Sequence, residues 1–257
     1  MPKHKTIVVT GAASGIGAAT AQLLAEQGAE IIAVDLKPPP GPVGRFIQAD
    51  LSDPASIHRL VAELPAGVHG LANIAGVPPT FPAPQVLKVN LLGLQLLTLE
   101  LLPKLADGAA IVNLASLAGM GWPQAVAAIR ASEGLGFDEV DAFCMAHGIE
   151  GARSYFFAKE ALIAWTLQNR WTWRSRGIRM NAVSPGPVDT PILGDFIETL
   201  GARAEEDMRV MDRPGRPSDI APVVAFLLSD AAGWIRGANI PVDGGMHAKL
   251  LCDMHGL

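Results

Sequence analysis

The sequence predicts an α/β protein: one parallel sheet wound on both faces by helices. Three observations predict it. Short β-branched runs alternate with longer helical patterns through the first half of the chain. The runs are apolar throughout, as strands buried on two sides are. A glycine-rich turn joins the first run to the first helical pattern, the junction at which a βα unit turns back on itself.

The elements follow in order. Thr6–Thr10 (TIVVT) is the first strand, and a helix over Gly15–Gln27 stops at Gly28. Glu30–Asp35 (EIIAVD) is the second strand, followed by a Pro/Gly loop over Lys37–Gly44. Phe46–Ala49 is a short strand that leads to Asp50. Ser52–Pro54 offers a cap for a helix to Leu64. A strand over Val68–Asn73, a long apolar helix over Leu87–Leu105 interrupted by Pro103, and a strand over Ala109–Ala115 come next. Then come a helix over Arg153–Arg176, a strand over Gly177–Val183, a helix over Ser218–Ser229 and a last strand over Asn239–Val242. Residues 117–151, rich in Ala and Gly, break the rhythm and read as an inserted helical piece. No repeat or second domain is visible, so 1–257 is expected to be a single domain, with a substrate loop over 191–217.

Composition narrows the function classes. Of 257 residues, 49% are apolar and 18% charged, enough for a core and too apolar for disorder. The net charge is −5 with no basic run, which argues against nucleic acid and anionic membrane surfaces as partners. Cys144 and Cys252 follow no metal-ligand spacing and read as plain thiols in a reducing compartment, so no metal is expected. The N-terminal apolar run is short and ends in Gly11, a strand rather than a signal peptide. No uninterrupted run approaches the ~20 apolar residues of a membrane helix. A cytoplasmic protein is expected.

Two motifs carry chemistry. In TGAASGIG (Thr10–Gly17), Gly11, Gly15 and Gly17 sit between a strand and a helix. A pyrophosphate must approach backbone N–H groups at a helix N-terminus there, and a Cβ would block it. This is a Rossmann-type arrangement. Asp35, at the end of the second strand, can accept hydrogen bonds from both adenosine ribose hydroxyls and would repel a 2′-phosphate. NAD is therefore favoured, although Lys37 is close enough to keep NADP open. The second motif is YFFAK. Tyr155 is the only tyrosine in the chain, and Lys159 follows it on the same helix face. A phenol in water has a pKa of ~10; a cation beside it is expected to lower that value and make the group a usable base.

Taken together, TGAASGIG, Asp50-Leu51, NIAG (73–76), KVN (88–90), LAS (114–116), YFFAK (155–159) and SPGPVDTP (184–191) resemble the short-chain dehydrogenase/reductase family, in that family's order and over nearly the whole chain. The resemblance implies a cofactor seated on Gly11, Ser14, Gly15, Ile16 and Gly17, with Asp35 at the ribose and Asp50-Leu51 near the adenine. It places Ala75 and Gly76 on the cofactor's far side, with Asn73 supporting the central strands. Pro185, Gly186, Val188 and Thr190 would run along the nicotinamide, and Tyr155 and Lys159 would face it. The catalytic set would be Asn90, Ser116, Tyr155 and Lys159. Ser116 would hydrogen-bond the substrate oxygen, and Asn90 would hold a water that carries the proton from Lys159 outward. Hydride transfer belongs to the nicotinamide.

The chain departs from the family pattern in two places. Phe157-Ala158 precede Lys159, and the interval from Ser116 to Tyr155 is far longer than usual. The long interval resembles a subgroup that includes bacterial coniferyl-alcohol dehydrogenase and 3α-hydroxysteroid dehydrogenase/carbonyl reductase, with coniferyl-alcohol dehydrogenase the nearer pattern. Many family members pair the Tyr helix and the one before it into a dimer face within a tetramer. An insertion there is expected to leave a homodimer through another face. Ile192, Leu193, Phe196, Ile197, Leu200, Met208 and Met211, with Met120 and Trp122, suit either an apolar pocket for an aromatic or alicyclic alcohol or the buried face of a lid helix. Trp165, Trp171 and Trp173 read as packing. The expected activity is oxidation of an aryl-allylic alcohol such as coniferyl alcohol. The alternatives are a hydroxysteroid or other cyclic alcohol/ketone substrate, and a dinucleotide sensor without turnover.

Overall fold

The computed structural model describes residues 5–201 and 211–257. Seven parallel strands form one sheet in the order β3-β2-β1-β4-β5-β6-β7. They are β1 (Thr6–Thr10), β2 (Glu30–Asp35), β3 (Arg45–Gln48), β4 (Val68–Asn73), β5 (Leu105–Leu114), β6 (Arg179–Pro185) and β7 (Asn239–Val242). Helix α1 (Gly15–Glu26) packs with α9 (Pro217–Leu228) on one face. Helices α2 (Pro54–Glu63), α3 (Ala83–Leu87), α4 (Leu94–Leu101) and α7 (Ala152–Gln168) cover the other. The period of two along β1 shows why both faces are needed. Ile7 and Val9 enter the core with α1 and α9, and Val8 enters the core with α2 and α4.

Local chemistry sets the helix ends. After α1, Gly28 at φ +89° turns the chain. The Gly28 N–H then bonds the Ala25 carbonyl and the Ala29 N–H bonds the Leu24 carbonyl. Helix α2 starts with Pro54 behind Asp53, whose carboxylate accepts from the Ala55 and Ser56 N–H groups. At its other end Lys104 Nζ donates to the carbonyls of Val61 (2.6 Å) and Leu64 (2.6 Å). The buried Arg179 guanidinium does the same for α9, donating to Leu227, Ser229 and Ala232.

Several expected boundaries move. Strand β3 begins one residue early, at Arg45, because it pairs Arg45 with Ile32. The long apolar helix begins at Ala83, with Pro82 at its cap and Pro84 in its first turn, and ends in a 3₁₀ turn at Leu102–Lys104 that accommodates Pro103. Leu105 then opens β5 by pairing with Val68. Between α3 and α4 lies a π-helical turn, Lys88–Gly93, which no periodicity announces. The stretch Ala83–Lys104 is long and apolar enough to cross a bilayer by length and composition, but 61% of its most apolar window is buried in the fold. Helix α7 stops at Gln168 and gives way to 3₁₀ turns at Asn169–Trp171 and Arg174–Arg176. Strand β6 starts at Arg179 rather than Gly177. The insertion contains 3₁₀ turns and two short helices, α5 (Val126–Ala131) and α6 (Val140–Ala146). Helix α8 (Leu193–Leu200) lies inside the anticipated loop, where the apolar spacing also suited a lid helix, and α10 (Met246–His255) at the C-terminus was not expected.

Candidate active site

The sheet order reverses between β1 and β4, and a parallel sheet opens a crevice at the carboxyl ends of its strands there. A cleft of about 310 Å³ occupies that place, lined by Gly11, Ser14, Gly15, Ile16 and Gly17 after β1 and by Ala75 and Gly76 after β4. The chain folds tightly enough here that side chains are excluded. A Cβ on Gly17 would lie 2.0 Å from the Gly11 carbonyl oxygen, and one on Gly11, at φ +70°, would lie 2.9 Å from the Ala75 nitrogen. Ser14 makes no side-chain cap to α1, so the first-turn N–H groups of α1 lack a side-chain partner from it. Such a cradle suits a dinucleotide pyrophosphate.

Asp35 lines the same cleft. Its carboxylate accepts from the Ala13 N–H at 3.0 Å and the Leu36 N–H at 2.7 Å, which ties the glycine turn to the end of β2. Asp50 and Leu51 also line the cleft, with the Asp50 carboxylate accepting from the Ser52 N–H and hydroxyl. Thr190 lies over the turn: a Cβ on Gly15 would come within 3.2 Å of its methyl. Asn73 stands apart. It is buried, and its amide donates to Thr98 Oγ1 and Asn113 Oδ1, both at 2.9 Å, while Asn113 donates to Thr166 Oγ1 at 3.0 Å. It belongs to a polar ladder joining β4, β5, α4 and α7 and does not line the cleft.

A second cavity of about 230 Å³ adjoins the first, sharing Ile16, Leu114, Thr190 and Ile192 with it. Ser116, Tyr155, Pro185, Gly186 and Val188 line it. Tyr155 and Lys159 sit one turn apart on α7, as their spacing requires. Ser116 stands beside the phenol and favours its ionised form, while its hydroxyl accepts from the Ala118 N–H at 3.2 Å. Burial is the larger effect and pushes the Tyr155 pKa up to about 12. Lys159 does not offset it as expected. Its Nζ lies 5.5 Å from the Tyr155 ring centroid and donates to the Leu114 carbonyl at 2.6 Å. Burial lowers its own pKa to about 7. Two groups entering one low-dielectric site are each driven toward their neutral forms.

Asn90 is fully buried in the π-helical turn. Its side chain is committed to Val77, accepting from that N–H at 2.8 Å and donating to that carbonyl at 2.9 Å. The side chain is therefore engaged with the cofactor cleft wall, and a water relay would have to use the Asn90 main chain.

The apolar residues divide. Ile192, Leu193, Phe196 and Ile197 line the second cavity, with Phe196 meeting the Tyr155 ring edge-on at 4.7 Å between centroids. Leu117, Ala118 and Phe156 add to the wall, as do Met246 and Leu250 of α10. Sequence reasoning missed those last two because nothing local ties the C-terminus to the site. Met120 and Trp122 pack against the core instead, with Met120 Sδ accepting from Asn239 Nδ2. Met211 is buried beside Gly244. Met208 and the side chain of Leu200 lie outside the described residues. Trp165 and Trp173 pack on the cores, and Trp171 lies under Arg170 at the surface, away from both cavities. Among the described residues no group of His, Cys, Asp and Glu could hold a metal.

Comparison with known proteins bears on the family and the fold. Residues 5–132 match the family model described as short chain dehydrogenase, and residues 140–247 match one described as Enoyl-(Acyl carrier protein) reductase. The chain is 41% identical over 246 residues to coniferyl-alcohol dehydrogenase of Pseudomonas sp. (strain HR199 / DSM 7063), covering 95% of this chain and 96% of that one. It is 30% identical over 258 residues to 3-alpha-hydroxysteroid dehydrogenase/carbonyl reductase of Comamonas testosteroni, covering 95% and 97%. The crystal structure of 3-alpha-hydroxysteroid dehydrogenase from Pseudomonas sp. B-0831 complexed with NADH superposes with a TM-score of 0.83 at 30% identity, covering 96% of this chain and 98% of that one.

Proposed function

The chain belongs to the short-chain dehydrogenase/reductase family, and from that premise we propose that it oxidises an aryl-allylic alcohol of the coniferyl type, with NAD as cofactor. It is an oxidoreductase acting on alcohols and carbonyls, on a dinucleotide-binding fold. One observation carries the finer reading: Ser116 and Tyr155 stand in a mostly apolar cavity that adjoins the dinucleotide cleft and shares part of its lining. Ser116 hydrogen-bonds the carbinol oxygen and holds it at Tyr155. The Tyr155 oxygen takes the hydroxyl proton as its own proton leaves toward the neutral Lys159 amine, and Ser116 stabilises the developing alkoxide. A nicotinamide held in the adjoining cleft would supply the hydride acceptor and, in its oxidised form, a positive charge. Lys159 holds the Leu114 carbonyl and hands the proton on from the Tyr155 side of α7. Gly11, Ser14, Gly15, Ile16 and Gly17 hold the pyrophosphate, Asp50 and Leu51 the adenine end, and Ala75, Gly76, Pro185, Gly186, Val188 and Thr190 the remainder.

The cavity size favours a one-ring alcohol. Its volume, about 230 Å³, lies below the roughly 300–1,000 Å³ typical of drug-sized ligands. A four-ring steroid would need α8 to move. The hydroxysteroid reading keeps support from the Comamonas relative and the NADH-bound structure. NAD is favoured by Asp35, whose fixed carboxylate would face a 2′-phosphate. The protein acts in the cytoplasm as a homodimer. NADH absorbance on mixing protein, NAD and coniferyl alcohol, with androsterone in parallel, tests the substrate: faster turnover of androsterone would reverse the order. Asp35→Ala is expected to lower the NAD/NADP ratio of kcat/KM by at least about tenfold, since roughly 1.4 kcal/mol is a factor of ten. An unchanged ratio would remove Asp35 from the ribose.

A further inference from the structure

Helix α10 plays no part in the chemistry above, yet it closes one side of the cavity over Ser116 and Tyr155. Met246 and Leu250 lie one turn apart and both face that space. Met246 is 7% exposed and forms the inner wall, while Leu250, at 47%, stands at the rim. Phe196 and Phe156 line the same cavity from α8 and α7.

The placement of α10 is held at its start. The Asp243 carboxylate accepts from the Gly245 N–H at 2.9 Å and the His247 N–H at 2.8 Å. Gly244 and Gly245 turn the chain at φ +65° and +91°, where other residues are strained. A Cβ on Gly186 would lie 3.1 Å from Asp243 Cβ, so the entry to α10 packs directly on the segment that runs along the nicotinamide side of the cavity. Met211 packs against Gly244. The wall is thereby registered to the cofactor segment.

We propose that Met246 and Leu250 are specificity-determining residues. They form a distal wall that grips the flat apolar tail of an alcohol whose carbinol sits at Ser116 and Tyr155, so that tail length is read by the C-terminal helix. The proposal rests on the alcohol-oxidation reading and adds where the tail is recognised. A half-exposed Leu at the rim loses its remaining water contact only when an aryl ring covers it, so its contribution appears only for substrates long enough to reach it.

The test is a series of allylic alcohols of increasing tail, crotyl, cinnamyl and coniferyl, with NAD and with wild type, Leu250→Ala and Met246→Ala. Leu250 is exposed enough for its truncation to spare the fold. Leu250→Ala is expected to lower kcat/KM for cinnamyl and coniferyl alcohol about five- to tenfold, through KM, and to leave crotyl alcohol within about twofold. Met246→Ala is expected to act in the same direction with a larger loss, and NADH binding is expected to be unchanged in both. Equal change across the series, or none, in an active enzyme overturns the distal wall alone. Wild type inactive on the whole series overturns the functional reading and the wall with it.

Discussion

Tyr155 and Lys159 lie in a site whose burial works against both of their charges. Replacing Tyr155 with Phe keeps the buried ring and its edge contact with Phe196 and removes only the hydroxyl, which stands in the cavity beside Ser116. Turnover, in contrast, loses its proton acceptor. Tyr155→Phe is expected to fold, to bind NADH and to lose at least about 10³-fold in kcat; activity near wild type in single-turnover assays would refute the assigned role. Lys159 predicts a pH dependence of stability. Its folded pKa is about 7 against the ordinary value of 10.5. Between those values the unfolded chain holds a proton that the folded chain has released, so stability rises with pH across that window. Below about 7 the folded protein carries a buried charge and the full penalty. Tyr155, with its pKa raised from 10.0 to about 12, acts in the opposite sense and only above about 10. Lys159→Met is therefore expected to raise Tm of the cofactor-free protein most at pH 6–7, with the gain shrinking as pH approaches 10. A Tm difference independent of pH would mean that Lys159 keeps its ordinary pKa.

At the scale of elements, the site depends on how closely the turn after Ser116 lies on α7. A Cβ on Gly119 would fall 2.6 Å from the Lys159 carbonyl oxygen and 2.7 Å from Ile163 Cδ1. The glycine thus lets the 3₁₀ turn Leu117–Gly119 rest on the backbone of the Lys159 turn. Gly119→Ala must lift that turn and carry Ser116 with it. Displacements near 1 Å can cost about 10²-fold in rate, so kcat is expected to fall between about tenfold and 10²-fold while NADH affinity, set at the other cleft, stays within about twofold. Titration of NADH fluorescence beside steady-state rates checks this, and parallel losses in both would point to general unfolding. Such dependencies mark what the sequence could convey. TGAASGIG and the Tyr155–Lys159 spacing were legible because each answers a local demand, room for a phosphate and a shared helix face. The strands were legible because burial on two faces leaves long apolar runs. The commitment of Asn90 to Val77 was not legible, since it follows from a π-helical turn that shifts the register. Helix α10 was not legible either: its exposed Leu251 and Met254 blur the amphipathic pattern, and its partners in the cavity wall lie far away in sequence.

On the scale of the molecule, the insertion changes which surface remains free. Ile129 of α5 and Val140, Phe143 and Cys144 of α6 are buried in one core with Leu162 and Ile163 of α7. Ile129, Leu135 and Phe137 also border a groove of about 390 Å³ whose other side is Leu92, Leu96 and Ala161, with Gln168 donating to Glu133 across it. The insertion thus covers part of the face that α4 and α7 would otherwise present, leaving Leu99 of α4 exposed at the groove. A second copy could pair them only by displacing buried apolar residues, each costing roughly 1.5–3 kcal/mol to expose. A tetramer built on that face is disfavoured, and a two-fold dimer through a different face is the simplest closed assembly left. Light scattering on the eluting peak is expected to give twice the 26.9 kDa chain mass. That value should persist in Leu99→Glu, which puts a charge on the exposed rim of the groove. A mass near four chains that collapses in Leu99→Glu would mean that α4 and α7 pair across copies despite the insertion.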